Sequence, residues 1–500
     1  MLVYYVFIFL IIYMALMLFL GYYGARRVKV ISDFTSALSS YGPLPVALAY
    51  AAVWSSAVTF VGVPGFIYGI GPPGALYSYV GVAGTMIAAA LATYYFRHMI
   101  EKMKPLTLFE YLQKRFQNKA VPGLAALTYV IGILFFTASA LTGGGQILSV
   151  LMDWPYQWGL LLTAGICLIY IYMGGTHGTT LTAIVQAVIM CTASIVIFLL
   201  GFVFLFDGGV NEVFARMTAQ NEHFAASHIT SPISSTFMLP SLIGIFLGHI
   251  AYAFSPHVAK TVLMLQDQRQ VLHFLIWVTV ILSVMILAVW AGAGARAYLA
   301  DPNLPPDAAL PTLLVTAFHP VVAALLSVAI FSAAMSSFGP MILVWSVTIT
   351  HDLYRNIIMP KTSVKNMPRD VLDQKQLLFT RLLLILGTVI SVAIVWNPPA
   401  YLILLMWAGF GAVIAGVAPV AMLSTMWRGV TAAGAVASNV AGIISFLTAF
   451  LALKWTPFEA AGAAIVISFS VAVVVSLITN TPPKAYLDGI FARRQRDFEA

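Results

Sequence analysis

Ser336 and Ser337 stand side by side in a stretch, Val321 to Thr350, that contains no charged residue. Hard cations are bound by oxygen, and two hydroxyls in an apolar helix can supply two such ligands. Adjacent serines can equally bond back to the preceding turn, so the pair alone leaves both readings open. A second oxygen source lies in the run Trp54-Ser55-Ser56-Ala57-Val58-Thr59-Phe60-Val61-Gly62-Val63-Pro64-Gly65, where an apolar segment is interrupted by serine, glycine and proline. A comparable interruption follows at Gly244-Ile245-Phe246-Leu247-Gly248-His249 and Ser255-Pro256-His257. Lipid cannot satisfy backbone groups freed at such breaks, so breaks persist where they line a cavity or bind something. Carbonyls of the first break are expected to join the serine hydroxyls around a cation. N–H groups at Gly62–Gly65 and Gly248–His249 are expected to receive a carboxylate, aided by the positive end of a half-helix. Ser56 and Thr59 are placed to orient the remainder of the solute. His249 reads either as a further donor or as a satisfied core histidine.

Acidic residues narrow the chemistry. None of the seventeen Asp and Glu falls well inside an apolar stretch. Proton-coupled carriers usually keep an intramembrane carboxylate, and carriers of organic cations need a counter-ion. An anionic or neutral solute fits better. Cys167 and Cys191 lie in apolar runs and frame neither a disulfide nor a metal cluster. Gly143-Gly144-Gly145 lacks the Lys that a phosphate loop requires and reads as a close helix contact. No acid–base or nucleophile constellation marks an enzyme, and no repeated filter motif or ring of charge marks a channel.

These residues must be carried by membrane helices. The 500-residue chain is 61% hydrophobic and 8% charged, against about 25% charged in soluble domains, and its mean hydropathy is +0.94. Apolar runs near the ~30 Å bilayer length suggest thirteen spans, at about 3–22, 43–70, 74–97, 121–150, 157–173, 178–205, 237–256, 273–298, 321–350, 378–396, 399–424, 430–453 and 458–480. With the N-terminus outside and the C-terminus in the cytoplasm, all but Arg216, Arg296 and Lys454 of the 25 basic residues fall inside, as orientation requires. The net charge of +8 therefore sits in short loops and does not imply nucleic acid. Leu106–Lys119 reads as an amphipathic interfacial helix. Phe206–Ser235 is the longest outside loop and Asp352–Gln376 the longest inside one. The two breaks lie five spans apart, in oppositely directed helices, the signature of an inverted repeat.

At these residues the chain resembles the sodium:solute symporter family, over nearly its whole length. The matching positions are Ser56, Ala57, Phe60, Gly62, Pro64, Gly65 and Tyr68; Tyr172, Gly174, Gly175 and Gln186; and Ala333, Ser336, Ser337, Asp352, Leu353 and Tyr354. Pro256-His257, Leu304-Pro305-Pro306-Asp307 with Leu310-Pro311-Thr312-Leu313, and Trp396-Asn397-Pro398-Pro399 look most like the pantothenate and small-monocarboxylate permeases. The resemblance implies an all-α membrane protein with the leucine-transporter type of fold. Its parts would be an extra helix and loop at 1–42, a first repeat at 43–205, an outside loop at 206–236, an inverted second repeat at 237–424, and two extra helices with a tail at 425–500. It implies Na+ as the coupling ion, held by the carbonyls of Ala52, Ser55 and Ala333 and the hydroxyls of Ser336 and Ser337. The family's Thr-Asp before its Gln is Thr182-Ala183 here, so a carboxylate that the family places on the cation's route is missing. Import of pantothenate or a short monocarboxylate across the inner membrane is the expected activity. The alternatives are another small solute such as proline or a sugar, or an uncoupled facilitator or sensor. No obligate protein partner is indicated.

Overall fold

The computed structural model describes residues 1–26, 34, 41–96, 99, 102–225, 239–262, 264–265, 270–359, 367–397 and 399–491. The described residues are almost wholly helical, with one isolated bridge between Tyr41 and Leu265. Among the described residues ten helices are long and apolar enough to cross a membrane, eleven with the bent pair Pro43–Trp54 and Val58–Ile70. A thirteen-span arrangement needs the 48-residue run Tyr156–Val203 to cross twice and the shorter Leu239–Tyr252 to cross once. The long run carries the hinge for this at Gly175, whose φ of 51° and ψ of −140° suit only glycine. A side chain there would also meet the Phe34 ring at 2.5 Å.

Burial separates central from peripheral helices. Within Pro320–Ile358 83% of the most apolar window is buried, against 22% in Leu2–Ala25. The serine pair thus belongs to the innermost helix. Small residues let neighbours approach it and one another. A methyl group on Gly143 would fall 2.3 Å from Ala57 Cβ, so the glycine triplet is a close helix contact.

Three features differ from the expected loops. Gly209–Gln220 is a helix inside the expected outside loop. The central helix runs on as wide π turns, Thr348–Ile358, and the next begins at Arg369, which shortens the expected inside loop. Residues 226–235 and 360–366 of those loops lie outside the described residues. The amphipathic segment forms Leu108–Phe116, capped by Thr107. Its Arg115 is fully buried and donates to the carbonyls of Ser424, Trp427 and Arg428. A cation there complements the C-terminal end of the helix Ala418–Met426. Glu110 pairs with Lys114 at 2.7 Å and lies 3.5 Å from His351 Nε2. Burial raises the Glu110 pKa, but bonds from His351, Lys114 and the Leu106 N–H outweigh it and hold the carboxyl at about 2.

Asp307 secures the Pro-rich loop. Its Oδ2 accepts from the Leu402 N–H at 2.7 Å, at the start of the helix Leu402–Gly416. Burial pushes its pKa well above the usual carboxylate range, opposed by that N–H.

Candidate cation and solute sites

The first break is centred on Ser55–Ala57, three residues before the π turn Val58–Gly62, and bends the span by 55°. Ser56 closes part of it: its N–H reaches the Trp54 carbonyl at 3.0 Å and its Oγ accepts from the Val58 N–H at 3.1 Å. The carbonyls at the end of Pro43–Trp54 remain without helical partners, and the innermost helix meets them. Ser336 Oγ lies 2.7 Å from the Ala52 carbonyl and 2.9 Å from that of Ala333, while Ser337 Oγ donates to the Val53 carbonyl at 3.1 Å. A hydroxyl has one hydrogen to give. If Ser336 bonds back to Ala333, the Ala52 carbonyl and the Ser336 lone pairs face each other uncompensated. Ser55 Oγ, also buried, has no hydrogen-bond partner among the described residues. Such an oxygen-rich, underdonated spot fits a hard cation. The structure brings Ala52, Ala333 and Ser336 into contact. Ser337 is aimed one carbonyl further along, at Val53, a residue the sequence reading did not include.

Beside this spot lies a cavity lined by Trp54, Ser56, Val58, Thr59, Tyr77, Phe136, Gly248, His249, Tyr252, Met406, Trp407 and Phe410. It is small, about 30 Å³, so a solute the size of an amino acid requires the lining helices to move apart. Ser56 and Thr59 sit at the N-terminal end of the half-helix leading to Ile70, where the helix dipole is positive. Gly62 and Gly65 stand outside this cavity. Their backbone is helical, and they serve close packing: added methyls would meet Leu402 Cδ2 at 2.8 Å and the Pro306 carbonyl oxygen at 2.6 Å. Gly248 lines the cavity but in unbroken helix, where an added methyl would fall 2.4 Å from the Trp407 ring. The second break falls later, at Ala253–Ser255, between Leu239–Tyr252 and Pro256–Val262. The freed N–H groups expected at Gly62–Gly65 and Gly248–His249 are thus absent from those positions, because each lies within a continuous helical ladder. His249 Nδ1 contacts the Ile245 carbonyl at 2.8 Å. The aromatic residues Tyr77, Trp407 and Phe410 were not singled out from sequence, since a ring in an apolar helix carries no mark of facing a cavity rather than lipid.

The sequence profile of the sodium:solute symporter family matches residues 34–442. The chain belongs to the sodium:solute symporter family. This member is 26% identical to the osmoregulated proline transporter of Bacillus subtilis, over 95% of each chain. It is 25% identical to the sodium/proline symporter 2 of Staphylococcus saprophyticus, over 88% of this chain and 84% of that one. In structure it resembles a Na+-coupled sialic acid symporter with a TM-score of 0.80 at 20% identity, covering 97% of this chain and 99% of that one. A second likeness, TM-score 0.52 at 14% identity over 86% and 98% of the two chains, is to a transporter crystallised with L-phenylalanine. The fold is the leucine-transporter type, and the symporter is a multi-pass membrane protein that couples solute movement to Na+. These proline-transporting relatives do not support the narrower placement beside pantothenate and monocarboxylate permeases.

Proposed function

We propose that this symporter imports a small carboxylate-bearing solute with Na+, and that the imino acid proline is the first candidate. The observation that supports this reading is the first break, which lies between the candidate cation spot and the solute cavity. Its Ala52 and Val53 carbonyls face the Ser336 and Ser337 hydroxyls, while Trp54, Ser56 and Thr59 line the solute cavity. A cation drawing on those carbonyls fixes the geometry of the residues that meet the solute, and linkage makes the effect reciprocal. The solute's carboxylate would lie at the Ser56–Thr59 end of the half-helix. Na+ would be held by the carbonyls of Ala52 and Ala333 and the Ser336 hydroxyl, with Ser337 and the Ser55 carbonyl completing the shell. The relatives that transport proline favour an imino acid. Pantothenate or a short monocarboxylate is the second reading, favoured by the stretches at Pro256, Leu304–Leu313 and Trp396. The flanking helices would enclose two inverted five-helix repeats, 43–205 and 237–424, with the N-terminus outside.

An uptake panel tests the reading. Radiolabelled proline, pantothenate, pyruvate and glucose are offered to cells expressing the protein, with Na+ or K+ outside. Uptake of proline in Na+ alone is expected, with competition by carboxylates and none by choline. Competition by choline but by no carboxylate would overturn it.

A further inference from the structure

The aromatic cavity holds one imidazole, and the fold fixes its hydrogen-bonding sense. His249 Nδ1 lies 2.8 Å from the Ile245 carbonyl one turn back. A carbonyl only accepts, so Nδ1 carries the hydrogen, and in a neutral imidazole Nε2 is then a bare acceptor. Among the described residues no donor reaches Nε2, and no carboxylate lines the cavity to hold an imidazolium. The ring is seated tightly: its centroid lies 5.6 Å from that of Tyr77, 5.7 Å from Trp407 and 5.9 Å from Trp54. On the adjoining helix, a methyl group on Gly81 would meet Nε2 at 2.9 Å, so that glycine leaves the imidazole its place.

The other polar groups of the cavity have the opposite sense. Trp54 donates its indole N–H to Thr85, and Trp407 donates to Tyr77 Oη. That leaves the Tyr77 hydrogen free. Ser56 Oγ accepts from Val58, which frees its hydrogen too. The cavity therefore offers hydroxyl donors, Ser56 at the break and Tyr77 on the helix Leu76–Leu91, and an acceptor at His249.

We infer that His249 Nε2 accepts a hydrogen bond from an ammonium N–H of the solute and so selects zwitterionic amino or imino acids over plain monocarboxylates. This rests on the reading of a carboxylate-bearing solute. A plain monocarboxylate held at Ser56 has no N–H to offer Nε2 and leaves that acceptor unpaired. A zwitterion carries its own counter-charge, which agrees with a cavity that has no acidic residue, and it presents a donor to His249 and an acceptor to Ser56.

Binding to the purified full-length protein in Na+ tests this, read by isothermal titration calorimetry. The probes are pairs differing only in the N–H: alanine with propionate, and proline with cyclopentanecarboxylate. The wild type is expected to bind the amine of a pair at least about tenfold tighter. His249→Phe keeps a ring but no acceptor and should bring the pair to within about twofold of each other. His249→Gln, which restores an acceptor, should recover part of the preference. Equal binding within each pair by the wild type, or an undiminished preference in His249→Phe, would overturn the inference. Binding by no member of any pair would instead sink the carboxylate-solute reading, and the inference with it.

Discussion

The two broken helices look alike in sequence and behave differently in structure. At Ser55–Ala57 the preceding helix ends with carbonyls that turn outward to the hydroxyls of another helix. At Ala253–Ser255 the hydrogen bonds of the break are local ones. Phe254 and Ser255 N–H groups reach the carbonyls of Ala251 and Tyr252, Ser255 Oγ donates to Tyr252 at 2.6 Å, and the Ser255 carbonyl accepts from Val258 and Ala259. A break becomes a binding site when its lone pairs are left to something that can depart. Glycine, proline and serine mark where a helix stops and are silent on who takes up the slack.

The largest effect expected from this contrast is at Ser336. Removing its hydroxyl takes a ligand from a charged partner, a loss of ~1.5–3 kcal/mol, so Ser336→Ala should raise the Na+ concentration for half-maximal uptake roughly tenfold or more. Ser337 points to Val53 rather than Ala52, so Ser337→Ala should shift the same curve less, about threefold. Uptake measured against external Na+ separates them, and unchanged curves in both would remove the cation site from the first break. At the second break, Ser255→Ala should alter apparent Na+ affinity by less than about twofold, because its bond is local. A shift as large as that of Ser336→Ala would erase the distinction between the breaks. The smallest effect is expected away from both, at Glu110. Its pKa is lowered from 4.5 to about 2, so its contribution to stability is present above about pH 4.5 and is lost as pH falls toward 2. Glu110→Gln should therefore flatten the acid side of a thermal-unfolding profile of the solubilised protein while leaving Na+ dependence unchanged.

Much of the architecture was legible because lipid enforces it. Apolar length and the lack of charge from Val321 to Thr350 mark the innermost helix, and the interruption after Trp54 falls where the 55° bend occurs. Ser336 could be placed near Ala52 only through the family resemblance, since their contact bridges 284 positions of sequence. The glycines misled for a physical reason. Gly62 and Gly65 can free a backbone or admit a neighbour, and the choice depends on Leu402 and Pro306, far away in the chain. His249 was visible, but its sense as an acceptor depends on the Nδ1–Ile245 bond and so on the helix being unbroken there. The helix Gly209–Gln220 escaped notice because a segment outside the bilayer carries no hydropathy signal of its own.

The indole bonds of Trp54 and Trp407 bear on speed as well as fit. With each N–H already committed, to Thr85 and to Tyr77, these large rings keep their orientation before a solute arrives. Immobilising a free side chain at a binding surface costs about 0.5–1.5 kcal/mol, and here folding has already met that cost twice. A solute then forfeits little by leaving and coming back, so differences in residence time among solutes fall to the few groups that remain uncommitted.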